Sequence, residues 1–145
     1  MYKHLLIALD GSELAQTALQ HGVALADSLD AKVTIVTVSE PWHSYAPGEI
    51  EMPAPVKQYQ ESIAKWALEI LAKAKTVAES SGVNCSTVHI KEDYPAEGIL
   101  DVCEKYDCDL IIMASHGRRG LSRILLGSQA NQVVTHSKVP VLICR

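Results

Sequence analysis

The chain has 145 residues, of which 48% are hydrophobic and 21% charged, with a formal net charge of −4. That length supports one domain, residues 1–145, with a real core, and the acidic balance argues against a broad nucleic-acid footprint. No apolar stretch is long enough to span a bilayer, and the opening run meets Asp10 with no small-residue cleavage site after it, so a cytoplasmic location without membrane partners is expected.

The elements alternate strand and helix. "KHLLIAL" (3–9) is a continuous apolar run, the mark of a strand buried on both faces. "SELAQTALQHGVALADSL" (12–29) repeats apolar residues at helical spacing, with Ser12 placed to cap it. "AKVTIVTV" (31–38) is a second β-branched strand. A long helix is expected from about Val56 to Ser81, ended by Gly82. "NCSTVHI" (84–90) is a third strand, and "PAEGILDVCEKY" (95–106) a helix with Pro95 at an early position. "CDLIIMA" (108–114) is the fourth strand, "SQANQVVTHS" (128–137) the last helix and "VPVLIC" (139–144) the closing strand.

Such alternation implies an α/β fold: a five-stranded parallel sheet with helices on both faces. Periodicity does not set the strand order. One connection breaks the rhythm: "SEPWHSYAPGEIEMPAP" (39–55), with four prolines, Trp42 and Tyr45, is either a lid or a surface loop. Cys85, Cys103, Cys108 and Cys144 show neither C-x-x-C spacing nor a paired histidine, and read as buried thiols rather than a metal site. His21 and His89 read as surface or core residues.

The unusual chemistry lies where strands end. "LDGS" (9–12) follows the first strand, and "ASHGRRGLSRILLGS" (114–128) follows the fourth. In open α/β sheets, ligands bind outside the carboxyl ends of the strands. Gly117 and Gly120 are expected to take positive φ angles and bare their amides. Gly127 and Ser128 open the last helix, whose free N–H groups attract anions, and the Ser128 hydroxyl can cap that helix or bond a phosphate. Arg118, Arg119 and Arg123 add positive charge. The competing reading is plain turn geometry beside a solvated arginine face.

Other chemistries fail on spacing. There is no G-x-G-x-x-G after the first strand and no G-x-x-x-x-G-K-[ST] anywhere. A receiver domain would need an acidic pair after the first strand. Ser115 and His116 with Asp10 suggest a triad, but the G-x-S-x-G elbow is missing, and neighbours on an extended segment are expected to point apart.

"HLLIALDGSELAQTAL", "CDLIIMASHGRRGLSRILLGSQANQVV" and "VPVLIC" together make the chain resemble the universal stress protein superfamily along essentially its full length. The nucleotide-binding branch carries Gly-x2-Gly-x9-Gly-Ser/Thr. The matching positions here are Ala114, Gly117, Gly127 and Ser128, so alanine replaces the first glycine. "EDYP" (92–95) is a second departure, before the third helix, where relatives often carry glycine.

The resemblance implies sheet order 3-2-1-4-5, the adenine nucleotide alpha hydrolase-like arrangement. It implies ATP, with Mg²⁺ or Mn²⁺ held through the phosphates. It places Asp10 near the ribose and the metal, Val38 against adenine through its backbone, and Ala8 and Leu9 along the pocket. Gly117, Gly127, Ser128 and Gln129 match the phosphate cradle, with Ala114 at the altered position and His116 and Arg118 in the same loop. Asp10 is expected to be the only carboxylate placed for the metal. The closing strand, Val139–Cys144, is implied as a homodimer edge. The leading expectation is a regulatory ATP-binding module of the stress response. A slow ATPase or phosphotransferase and a dimeric interaction module without nucleotide are the alternatives.

Overall fold

The computed structural model describes residues 1–41, 53–91, 93–117 and 126–145, without the side chains of residues 53–55. Among these residues five strands and four helices alternate: β1 (His4–Ala8), α1 (Glu13–Leu29), β2 (Lys32–Ser39), α2 (Pro53–Ser80), β3 (Cys85–Lys91), α3 (Pro95–Lys105), β4 (Leu110–Ala114), α4 (Ser128–His136) and β5 (Val141–Cys144). The main shift from the sequence reading is at α2, which starts at Pro53 rather than Val56. Proline is well tolerated in a first helical turn, because that turn's N–H groups have no partner within the helix.

The strands form one parallel sheet in the order β3-β2-β1-β4-β5. β1 is central, with Ile7 opposite Ile35 of β2 and Ile112 of β4. Side chains alternate across it, which splits the core in two. Leu5, Ile7, Val33, Ile35 and Ile112 meet Ala15, Leu19 and Val23 of α1 and Leu71 and Ala74 of α2. Leu6, Ala8, Val36, Ile111 and Met113 meet Ile99 and Val102 of α3 and Ala130 and Val133 of α4. Each fully buried Leu or Ile stabilises the fold by roughly 1.5–3 kcal/mol.

The helix ends follow local chemistry. The Ser12 hydroxyl accepts from the Ala15 amide at 3.1 Å, capping α1 as its sequence position suggests. Past the end of α2, Gly82 takes a φ of +77°, and the Val83 amide returns to the Ala78 carbonyl. That is a Schellman motif, which favours glycine at this position. All four cysteines are free and buried.

Candidate functional site

In a parallel sheet every helix starts at the edge where the preceding strand ends. The direction in which strands are added reverses between β1 and β4, and at that point the carboxyl edge opens into a cleft of about 610 Å³. That volume lies in the range of small-molecule sites, and the position is where open α/β sheets bind ligands.

The floor comes from β1 and β2. Ala8 and Leu9 line it, and the Leu9 amide donates to the Val36 carbonyl at 2.9 Å. Val38 lies two residues farther along β2, so its own N–H and C=O turn to the same side, past the point where β1 has ended. Gly98 of α3 lets the helix come close to it: a Cβ there would stand 2.8 Å from Val38 Cγ2. Pro95 and Ile99 of α3 form the apolar wall beside it.

After β1 the chain turns sharply. Gly11 takes a φ of +83°, a region that favours glycine. Asp10 Oδ1 accepts from the Ser12 amide at 2.9 Å, closing the turn and fixing the carboxylate at the cleft. Gly117 approaches it from the β4 side: a Cβ on Gly117 would lie 2.7 Å from Asp10 Oδ2. Gly117 is not at positive φ, contrary to the sequence expectation. Its lack of a side chain matters for close approach instead.

The third wall joins β4 to α4. Ala114 ends β4, buried at 8% exposure, and lines the cleft. The Ser115 amide donates to the Cys144 carbonyl at 2.8 Å, and the Gly127 amide donates to the Ser115 carbonyl at 2.7 Å. These bonds hold the start of α4 against the end of β4. A Cβ on Gly127 would come within 3.0 Å of that Ser115 oxygen, so glycine permits the junction. Gly127 is the N-cap of α4 and no side chain caps it. Ser128 is therefore the first helical residue and not the cap. The amides of Ser128, Gln129 and Ala130 form the first turn, where a helix has no internal acceptors to offer.

Gln129 has a structural task as well. Its Oε1 accepts from the Ala96 amide at 3.0 Å, serving the first turn of α3, whose N-cap Tyr94 makes no side-chain cap bond. Two positive helix ends thus converge on one cleft.

The expectation that Ser115 and His116 point apart is overturned. β4 ends at Ala114 and the chain bends there, so the two are not on an extended segment. Ser115 Oγ and His116 Nδ1 are 2.9 Å apart. Ser115 is only 2% exposed, which leaves it shielded as a nucleophile, and His116 Nε2 is a buried ring nitrogen without a hydrogen-bond partner among the described residues.

Arg118, Arg119, Gly120 and Arg123 lie outside the described residues, as do Trp42 and Tyr45 of the proline-rich connection. Sequence reasoning missed Glu40, Trp66 and Met113, which also line the cleft. Glu40 puts a second carboxylate on the cleft, at the β2 end. Its signal was its position, immediately past a strand's carboxyl end. Trp66 reaches the cleft from the far side of α1's entry turn, where a Cβ on Gly11 would meet its ring at 3.3 Å, and nothing local announces that contact. Among the described residues no group of three or more His, Cys, Asp or Glu could hold a metal ion by itself.

The sequence model of the Usp family, the Universal stress protein family, matches residues 1–145. The chain belongs to the universal stress protein family. It is 35% identical to the universal stress protein MJ0531 of Methanocaldococcus jannaschii, over all of this chain and 83% of that protein. The universal stress protein UspA of Lactobacillus plantarum has the same fold, with a TM-score of 0.85 at 23% identity, over 99% of this chain and 98% of that one. A universal stress protein solved in complex with cAMP aligns with a TM-score of 0.74 at 23% identity, over 99% of this chain and 97% of that one. One from Archaeoglobus fulgidus, in complex with dAMP, aligns at 0.72 and 20% identity, over 99% and 98%.

Proposed function

We propose that this cleft binds an adenine nucleotide, ATP with Mg²⁺ or Mn²⁺, and that the protein is a nucleotide-responsive regulatory module of the stress response in the cytoplasm. One observation carries the reading: the uncapped first turn of α4, held by Gly127 against the end of β4, opens into a cleft of nucleotide size. A helix N-terminus free of side-chain caps is suited to phosphate, because its amides and dipole both favour negative charge. The family's cAMP and dAMP complexes agree in ligand class.

In this reading the base lies on Ala8, Leu9 and Val38, the ribose near Asp10, and the phosphates on Gly117, Gly127, Ser128 and Gln129. His116 stands behind that cradle, and Arg118 belongs to the connection beside it. Asp10 alone is too few ligands for a metal cage, so the phosphates supply most of the donors, as is usual for Mg²⁺. Bound metal offsets phosphate charge; the chain's own part is to orient the nucleotide. Residues 1–145 act as one universal stress protein domain. A homodimer through Val139–Cys144 completes the reading: β5 is an edge strand on which Leu142 is 40% exposed, and apolar edges favour pairing.

The test is to denature freshly purified protein, identify any released nucleotide by mass spectrometry, and titrate ATP and Mg²⁺ calorimetrically. ATP binding that is lost in Gly127→Asp supports the cradle, and turnover assays then decide between a sensor and a slow ATPase. No released nucleotide and no binding heat refutes it, and leaves a dimerising interaction module.

A further inference from the structure

Glu40 is the residue at which β2 leaves the sheet, and it lines the cleft together with Val36 and Val38. The three follow the alternation of a strand, which puts every second side chain on one face. The Glu40 carbonyl accepts the Tyr59 hydroxyl at 3.1 Å, which ties this exit to α2 and sets where the side chain begins. The residue is half-buried. Among the described residues neither a hydrogen-bond donor nor a cation is paired with its carboxylate. A carboxylate partly withdrawn from water and facing a cleft is an acceptor available to a ligand.

The sheet order tells which part of a ligand it meets. β2 and β4 flank β1, so they stand two strand spacings apart, about 10 Å. With phosphates on the α4 amides, beyond β4, a nucleotide reaches back across Asp10 and lays its base over β2. There it meets Val38, Pro95 and Ile99, with Glu40 at the base's outer edge.

We propose that Glu40 is a specificity-determining residue that reads the base: its carboxylate accepts a hydrogen bond from an exocyclic amine, so that a 6-amino purine is favoured over a 6-oxo purine. The inference rests on the nucleotide reading above. A 6-oxo group at the same place sets one acceptor against another, and neither can supply a proton. Val38's backbone can add to base recognition, so the informative quantity is how the preference changes when only Glu40 changes.

The experiment measures calorimetric affinities of ATP and ITP, which differ in that exocyclic group, for the parent protein, Glu40→Gln and Glu40→Ala. A hydrogen bond to a charged acceptor corresponds to about a 10-fold preference or more. The parent is expected to bind ATP at least about 10-fold tighter than ITP. The ratio is expected to fall below about 3 in Glu40→Gln, whose carboxamide can turn a donor toward the 6-oxo group, with Glu40→Ala between. An unchanged ratio in both variants, with ATP binding still lost in Gly127→Asp, overturns the role of Glu40 and leaves the phosphate cradle standing. Equal weakening of ATP and ITP also overturns it, assigning the carboxylate to the ribose hydroxyls. No binding of either nucleotide by the parent overturns the nucleotide reading, and this inference with it.

Discussion

Replacing Gly127 by alanine adds one methyl group where β4 meets α4, and the structure sets its cost. The N-cap angles, φ −65° and ψ 160°, are ones alanine adopts without strain. The difficulty is contact. The new Cβ would lie 3.0 Å from the Ser115 carbonyl oxygen and 3.4 Å from His116 Cα, both backbone atoms. Neither can swing aside as a flexible side chain does, and Ser115 is tied to Gly127 and Cys144 through its carbonyl and amide. Overpacking costs about 1–3 kcal/mol, and relief by a few tenths of an ångström puts this site near the low end, about 1 kcal/mol. Alanine is also a poorer N-cap than glycine, which adds up to about 1 kcal/mol. The expected loss is about 2 kcal/mol, roughly a 30-fold drop in the ratio of folded to unfolded chains. Because the same shift moves Ser115 and His116 relative to the α4 amides, ATP affinity should fall about 10-fold, or 1.4 kcal/mol. Urea unfolding gives the first number and calorimetry with ATP and Mg²⁺ the second. A variant within about 0.5 kcal/mol of the parent, with unchanged affinity, would refute the reasoning, because surface changes without mechanism stay within that range.

Gly98→Ala should push Val38 off its place, since the added Cβ meets Val38 Cγ2 at 2.8 Å; weaker ATP binding with a loss of about 1 kcal/mol in urea is expected, and unchanged affinity would show that Val38 moves freely. His4 and His89 have pKa values below their ordinary 6.5, mainly through burial, with Lys32 and Lys91 adding to the effect. The unfolded chain therefore binds those protons more readily, so their contribution to stability is in place above pH 6.5 and is lost as pH falls below it. The urea midpoint should drop on going from about pH 7.5 to 5.5, and drop less in His4→Gln/His89→Gln; an equal drop would rule these histidines out as the cause. Burial pushes Cys108 up to about 12 and Cys85 up to about 11, and raises Cys103 and Cys144 as well. A disulfide reagent at neutral pH should react slowly with the native protein and label four thiols once urea is added, whereas rapid labelling of the native chain would contradict the burial.

The elements were legible because each repeats a local signal. "KHLLIAL" and "CDLIIMA" are apolar on both faces, as strands covered by helices must be, and Ser12 and Gly82 mark a helix start and a helix end that the structure reproduces. The end of α2 could be read from one glycine, because a left-handed residue past a helix is a local demand. Its start could not, because the proline-rich approach to Pro53 offers no cap signal. The cleft was legible in part. Asp10 and Gly117 lie within three residues of a strand end and Gly127 directly precedes a helix, and the match to the universal stress protein motif singled them out.

Sequence by itself determined which segments are strands, which are helices, and that the chemistry gathers at the carboxyl ends of β1 and β4. Tertiary structure alone decided which residues meet there. Glu40 and Trp66 are separated from α4 by two or more elements, and no periodicity relates them. The bend after Ala114 brings Ser115 and His116 together where an extended strand would have kept them apart. Gln129 accepts from the Ala96 amide, 33 residues before it, only because the sheet order sets α3 and α4 on one face. Such contacts depend on strand order and register, which are settled by packing across the whole sheet rather than by any neighbouring stretch of chain.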